Sequence, residues 1–290
     1  MYDKVIFFNH FGNGDLFEST AFIEELHETI PAKEYIYSHG KDNRIFNHLP
    51  WLVQDKQYVD NLDIRVATKV ENNCFYLNTW IGRDGRYVLP GIGCTVEMLH
   101  TMYNDMLAPY GIQLKYNPYF YIPVIPHITK YYKFQNVLDF VEKKQKKYKL
   151  VLISNGNVQS CQADNFNFSP IISRLARNFE DHLFIVTEPI WEKFENVVTT
   201  ASITKVSGCD LHEIGLLAVH CPVIIGRCSG PIVFAQHRWK WSYSLHKSIS
   251  FTYTYEGSHF VRSDTLPMKK IWSPANTVDE VYRKISEELK

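Results

Sequence analysis

The sequence predicts an α/β protein of two Rossmann-like, doubly wound domains that face each other across a ligand-binding cleft. Three observations carry this. A strand, a glycine turn and a helix open the chain: Val5–Asn9, then Phe11-Gly12-Asn13-Gly14-Asp15, then an amphipathic run from Leu16. A second unit of the same kind follows the apolar run Pro222–Gly226, with the turn Arg227-Cys228-Ser229-Gly230-Pro231 and a helix over Ile232–His237. Between them, from Lys149, strand-like and helix-like runs alternate, which is the grammar of a parallel sheet covered on both faces. The expected domains are 1–148 and 149–290, with the last helix of the second able to pack back on the first.

The chain has 290 residues, enough for one large or two ordinary domains. Its 31 basic and 31 acidic residues balance, which argues against a bulk nucleic-acid binder. The six cysteines form no CxxC pair and no signal peptide precedes them, so they read as reduced thiols of a cytoplasmic protein. No apolar run reaches the length of a membrane span, leaving peripheral membrane association as the one expected kind. Tyr, Phe and Trp number 18, 18 and 6, with clusters at Tyr116–Tyr121 and Trp239–Tyr243. Such clusters stack on sugars or bases, and more often fill cores.

In order along the chain, Lys4–Asn9 reads as a central parallel strand because it is apolar almost without interruption. Leu16, Ala21, Phe22, Ile23 and Leu26 form a helical stripe that ends before Pro31. Glu34–Ser38 is the next strand, completing a βαβ-like opening. His39–Thr68 is polar and irregular, with a helical patch near Ile45–Leu49. Cys74–Ile81 is β-prone and Gly82–Gly93 is a glycine-rich loop. Thr95 suits an N-cap for a helix through Leu107, with Val96, Leu99, Met102, Tyr103 and Met106 on its inner face. Tyr116–His127 carries three prolines and is read as extended. Tyr131–Tyr148 is helical, and its basic end KKQKKYK suits the negative end of the helix dipole.

From Lys149 the pattern restarts. Leu150–Ser154 is an apolar strand that turns at Asn155-Gly156-Asn157. Ser169 is placed as N-cap and Pro170 at the first position of a helix through Ala176. Leu183–Thr187 is a strand and Asn196–Thr200 a short one. Asp210, with Glu213 three residues on, makes a capping-box-like start for the helix Leu211–His220. Ser248–Tyr255 is β-prone, and Thr277–Leu289 is the final helix.

Ligands of a doubly wound sheet bind beyond the carboxyl ends of its strands. Three loops fall there: Gly12–Asp15, Asn155–Asn157 and Arg227–Pro231. Gly12 and Gly14 allow close backbone approach to a ligand. A helix starting near Pro231 offers N–H groups and a positive dipole end to an anion. Asp15 is a general base or a helix cap, and Arg227 a phosphate contact or a surface arginine beside a turn. Phe17 stands where a dinucleotide fingerprint needs its third glycine. No P-loop, HExxH or G-x-S-x-G element is present.

The opening NHFGNGDLFESTAFIEEL and the stretch DLHEIGLLAVHCPVIIGRCSGPIVFAQ resemble, in order, the two signatures of the heptosyltransferase-type GT-B glycosyltransferases, glycosyltransferase family 9. The resemblance implies a GT-B fold and metal-independent transfer of a sugar from a nucleotide-sugar donor to a glycan or lipopolysaccharide-type acceptor. It requires no cofactor. It makes Asp15 the catalytic base, in a loop (Gly12, Asn13, Gly14) on the acceptor side. Arg227, Ser229, Gly230, Pro231, Asn155 and Gly156 would take the donor diphosphate, and Glu188 the ribose hydroxyls. The sequence departs from the family at Cys228, which replaces an Asp, at Val233, which replaces a His, and at Ser154-Asn155-Gly156, which replaces a Pro-Gly turn. Those departures keep a second reading open, a catalytically inactive binding protein of polysaccharide assembly. A Rossmann oxidoreductase is the third, disfavoured by Phe17.

Overall fold

The computed structural model describes residues 1–41, 44–80, 95–114, 134–158, 163–206, 210–227, 229–235, 247–251 and 269–290. The expected loop Gly82–Gly93, the aromatic stretches Tyr116–Tyr121 and Trp239–Tyr243, and Cys228 lie outside them. The chain divides into two compact units, each built on its own sheet, with the first division in sequence between Pro123 and Val124.

In the first unit β1 (Tyr2–Phe8) is central. It pairs in parallel with β2 (Ala32–Ser38) and with β5 (Cys74–Asn78). Val5, Ile6, Phe7 and Phe8 have no exposed surface, as a strand covered on both faces requires. The helix α1 (Asn13–Thr29) buries Leu16, Phe17, Phe22, Ile23 and Leu26, and ends ahead of Pro31. The stretch expected to be irregular carries an edge strand, β3 (Leu52–Asp55), parallel to β2. Four residues are too few for the alternation that marks a strand in sequence. Ile45 and Leu49 are buried, but in turns rather than a helix. An antiparallel partner of β5, β4 (Thr68–Glu71), completes the order β3-β2-β1-β5-β4. On α2 (Thr95–Leu107), Leu99, Met102, Tyr103 and Met106 face inward, as their spacing predicts.

The second unit is a six-stranded sheet whose strands pair in parallel throughout the described residues. Its strands are β6 (Lys149–Ser154), β7 (His182–Val186), β8 (Val197–Thr199), β9 (Val223–Arg227), β10 (Lys247–Phe251) and β11 (Lys269–Ser273), in the order β11-β10-β9-β6-β7-β8. Counted from β6, this is the dinucleotide-domain order, with its reversal point between β6 and β9. The helix α3 (Gln135–Lys144), which the sequence reading attaches to the first half, contacts α5 (Thr200–Thr204) and α6 (Leu211–Val219) of this unit. The expected capping pair at α6 is not formed: Asp210 is the N-cap residue, but its Oδ2 accepts from Thr204 Oγ1, and Glu213 is buried.

Around the sheet of the second unit, α4 (Ser169–Asn178) begins one residue earlier than expected. Phe168 is its N-cap and Ser169 its first helical residue, whose N–H is taken by Asn167 Oδ1 at 2.9 Å. The final helix, α8 (Val278–Leu289), is capped by Thr277 and packs on α4 of its own unit. Val281, Ile285 and Leu289 join Ile171, Ile172 and Leu175 in one core. The short helix α7 (Gly230–Ala235) follows β9.

Gly226, in β9, sits where backbones meet. A Cβ there would lie 2.8 Å from Ser154 Cβ and 3.1 Å from Ile232 Cδ1. Gly226→Ala is expected to cost about 1–3 kcal/mol by overpacking, read as a lower thermal midpoint; an unchanged midpoint would refute the close approach.

Acid sensitivity is expected from the first unit. The His27 ring stacks on Trp51 at 3.9 Å between centroids, and burial lowers its pKa below 6.5; His100 is lowered for the same reason. A base with a depressed folded pKa binds fewer protons folded than unfolded, so stability rises with pH up to about 6.5 and is lost below it. The thermal midpoint should therefore fall between pH 7 and 5.5, and fall less in His27→Phe. Equal losses in both proteins would exclude the histidine as the cause.

Candidate functional site

The strongest candidate lies at the carboxyl ends of β6 and β7, beside the reversal point of the second sheet. Asn155 follows β6 and fastens it to the residues after β7. Its N–H donates to Thr187 Oγ1 at 3.1 Å and its Nδ2 to the Glu188 carbonyl at 2.8 Å; its Oδ1 accepts from the Glu188 N–H at 2.8 Å and from Thr187 Oγ1 at 3.2 Å. The amide is thus committed to the protein. Gly156 follows it against the Glu188 side chain, and a Cβ there would meet Glu188 Cγ at 3.5 Å, an ordinary contact.

Above this clasp is a pocket of about 460 Å³ lined by Asn155–Asn157, Asn165–Ser169, Glu188 and Pro189. That volume lies within the range of small-molecule sites. The walls combine phenylalanine rings with amides, and the exposed Glu188 is the one carboxylate among these lining residues. Asn165 closes the loop on itself, accepting from the Val158 N–H at 2.7 Å and donating to its carbonyl at 2.9 Å.

Arg227 is placed differently from its expected role. It is the last residue of β9, not the first of a loop, and is 1% exposed. Its guanidinium donates to the carbonyls of Asp164 (2.8 Å), Asn155 (3.1 Å), Gly156 (2.8 Å) and Phe166. Its Cζ lies 4.5 and 4.7 Å from the ring centroids of Phe166 and Phe168. Burial pulls its pKa down to about 10. In this structure its guanidinium donates to the protein's own carbonyls, behind the residues that line the pocket.

Strand alternation sends Gly226 to the opposite face, toward Ser154 and Ile232. Ser154 is 3% exposed, and its Oγ has no hydrogen-bond partner among the described residues. Ser229, Gly230 and Pro231 are half-exposed at the start of α7, where Ser229 accepts from the Val233 N–H at 3.1 Å.

In the first unit, Gly12 is the N-cap of α1 and Asn13, Gly14 and Asp15 form its first turn. Asp15 Oδ2 accepts from the Gly12 N–H at 2.9 Å, so the carboxylate caps the helix. Beneath the loop lies a buried polar chain. Asn9 Oδ1 takes the Phe11 N–H at 2.8 Å, Asn9 Nδ2 donates to Thr79 Oγ1 at 3.1 Å, and the Tyr37 hydroxyl joins Thr79 and Ser19. Burial drives the Tyr37 pKa far above its ordinary value, and the charge of Asp15 adds to the rise. Phe17, 2% exposed, fills the position of the missing third glycine.

The structure thus brings Asn155, Gly156 and Glu188 together at one pocket, with Arg227 behind it. Phe166, Asn167 and Phe168 complete it and were missed from the sequence, although the alternation Asn165-Phe166-Asn167-Phe168 is a local signal of a loop with one polar and one packed side. Among the described residues no group of three His, Cys, Asp or Glu is placed to hold a metal ion.

No protein-family model and no curated protein matches the sequence. Among solved structures, the glycosyl transferase family 9 from Veillonella parvula DSM 2008 is similar over 99% of this chain and 91% of its own, with a TM-score of 0.53 and 12% identity. The E. coli heptosyltransferase WaaC with ADP is similar over 99% and 98%, with a TM-score of 0.52 and 9% identity. The UDP-GlcNAc 2-epimerase from Neisseria meningitidis bound to UDP-GlcNAc is similar over 98% and 91%, with a TM-score of 0.51 and 11% identity. The fold is that of these GT-B proteins, carried by a far-diverged sequence.

Asn155→Ala leaves the Glu188 N–H and carbonyl without their partner and is expected to cost about 1–3 kcal/mol, whereas Glu188→Ala, at an exposed position, should stay within about 0.5 kcal/mol of the parent. Chemical denaturation of both variants checks this; equal destabilisation would remove the distinction between clasp and pocket face.

Proposed function

We propose that the protein is a glycosyltransferase that moves a sugar from a nucleotide-sugar donor to a glycan acceptor, lipopolysaccharide-type glycans included, without a metal ion. One observation carries the reading: a pocket of small-molecule size stands at the strand-end edge of a six-stranded parallel sheet, beside its reversal point, in a chain with a GT-B fold from end to end. Ligands of open α/β sheets bind at that place.

In this reading the second unit holds the donor. The nucleoside lies in the pocket, with Glu188 accepting from ribose hydroxyls and the phenylalanine-bearing loop against the base. The diphosphate lies toward Ser229, Gly230 and Pro231, where backbone N–H groups at the start of α7 offset its charge. The first unit supplies Asp15, which takes the proton of the acceptor hydroxyl as that oxygen attacks the anomeric carbon and the nucleoside diphosphate leaves. Capping does not exclude catalysis, because a carboxylate has about four lone-pair sites and can accept more than one hydrogen bond.

The capping bond is also the observation that favours the second reading, a nucleotide-sugar-binding protein without turnover, in which Asp15 only starts a helix. Incubation with ADP-, GDP- and UDP-sugars, followed by release of the nucleoside diphosphate with and without glycan acceptors, decides between them. Transfer is expected to persist in a chelator. Asp15→Asn should lower it by about 10²–10⁴-fold while leaving donor affinity in place; binding without transfer in the parent protein selects the second reading.

A further inference from the structure

We infer that Arg227 is a positioning residue of the donor pocket: it does not touch the ligand, but holds residues 155–158 and 163–168 together as the pocket wall and sets a positive charge behind that wall. This rests on the reading of the pocket as the nucleotide site.

The argument begins with what a buried guanidinium needs. Five N–H donors in a rigid fork must find acceptors when water is removed. Arg227 finds four carbonyls, and all come from one stretch: Asn155 and Gly156 at its start, Asp164 and Phe166 near its end. These two segments are separated in sequence and share no strand, so each would otherwise lose conformational entropy on ordering with little in return. The fork converts them into two sides of one pocket. Phe166 and Phe168 then close over the guanidinium plane. Asp164 is held a second time from outside, where Asn276 Nδ2 donates to its carboxylate at 2.7 Å.

Charge supplies the second half. Among the described residues no Asp or Glu forms an ion pair with Arg227, and its partners are neutral carbonyls. A buried cation without a counter-ion is costly, and its field is weakly screened on the dry side of the wall. An anionic group arriving at the carboxyl end of β6 and β9 feels that field without displacing a single hydrogen bond of the fork. The arrangement therefore prepares both the shape of the pocket and its preference for a negatively charged ligand.

Arg227→Lys keeps the charge and loses the fork; Arg227→Gln loses the charge and most of the fork. Hydrogen exchange of peptides covering 155–158 and 163–168 is expected to rise in both, with β7 and α8 unchanged. Calorimetry with ADP, GDP and UDP is expected to show affinity lower by about tenfold or more in Arg227→Lys, and lower still in Arg227→Gln. Leu26→Ala, in the core of the first unit, serves as a variant destabilised elsewhere and should keep both readouts at parent values. Wild-type loop exchange and affinity in a folded Arg227→Lys would overturn the inference, as would equal loss in Leu26→Ala. Should neither Arg227 variant fold, Phe166→Leu removes one ring from the guanidinium and is read the same way. If the parent protein binds none of the three nucleotides, the nucleotide reading fails, while loop exchange still decides the positioning role.

Discussion

A single guanidinium organises the strand-end edge of the second unit that carries the pocket. The sheet beneath it is ordinary in its physics: apolar strands in parallel, covered by helices on both faces. Strands of that kind end abruptly, and the chain beyond them carries backbone groups that no ladder satisfies. At the end of β6 the solution is polar and local. Asn155 uses its side chain to complete the backbone of the next loop over, and Arg227 gathers four carbonyls that would otherwise face an apolar interior. Once those bonds exist, the rest follows: Phe166 and Phe168 have a flat cation to cover, α4 has a fixed starting point, and a pocket is left between loop and strand end.

The first unit meets the same problem with neutral groups. Tyr37, Thr79, Ser19 and Asn9 come from two strand ends, a helix and a loop, and their hydroxyls and amide bond to one another in a region without solvent. A fully bonded network of this sort specifies geometry, because each member has few alternative partners in a dry interior. Its output is the position of the Phe11 N–H and, one turn on, of Asp15. Both units thus place their candidate functional loops by tying them to buried polar groups, with the loops' exposed surfaces left available for a ligand.

What was legible in the sequence follows from range. The apolar runs that became β1, β6, β7 and β9 announced themselves, as did the inner face of α2, because burial on both faces of a strand or on one face of a helix imprints a periodic pattern. The Gly12–Asp15 and Asn155–Gly156 turns were likewise visible, since only certain residues suit a sharp turn from strand to helix. The edge strands β3 and β4 were not, because four residues at a sheet margin carry almost no pattern. Arg227 was legible as important and illegible in role. Whether an arginine at a strand end faces water or the interior depends on residues about sixty positions earlier, and no local signal links Asp164 and Phe166 to it.

The same logic explains how a chain about one-tenth identical in sequence to its structural relatives keeps their fold over nearly its full length. A parallel sheet asks for apolar residues of roughly the right volume, a loose requirement that many sequences meet. The loops at the strand ends are different, for there each buried polar group must find a particular partner. Such a loop can be rebuilt only as a set. Arg227 fits this view: a charged residue at the end of β9 is tolerable only together with inward-facing carbonyls at Asn155, Gly156, Asp164 and Phe166 and rings at Phe166 and Phe168. The fold therefore constrains the place of a strand-end pocket more tightly than it constrains the side chains that line it.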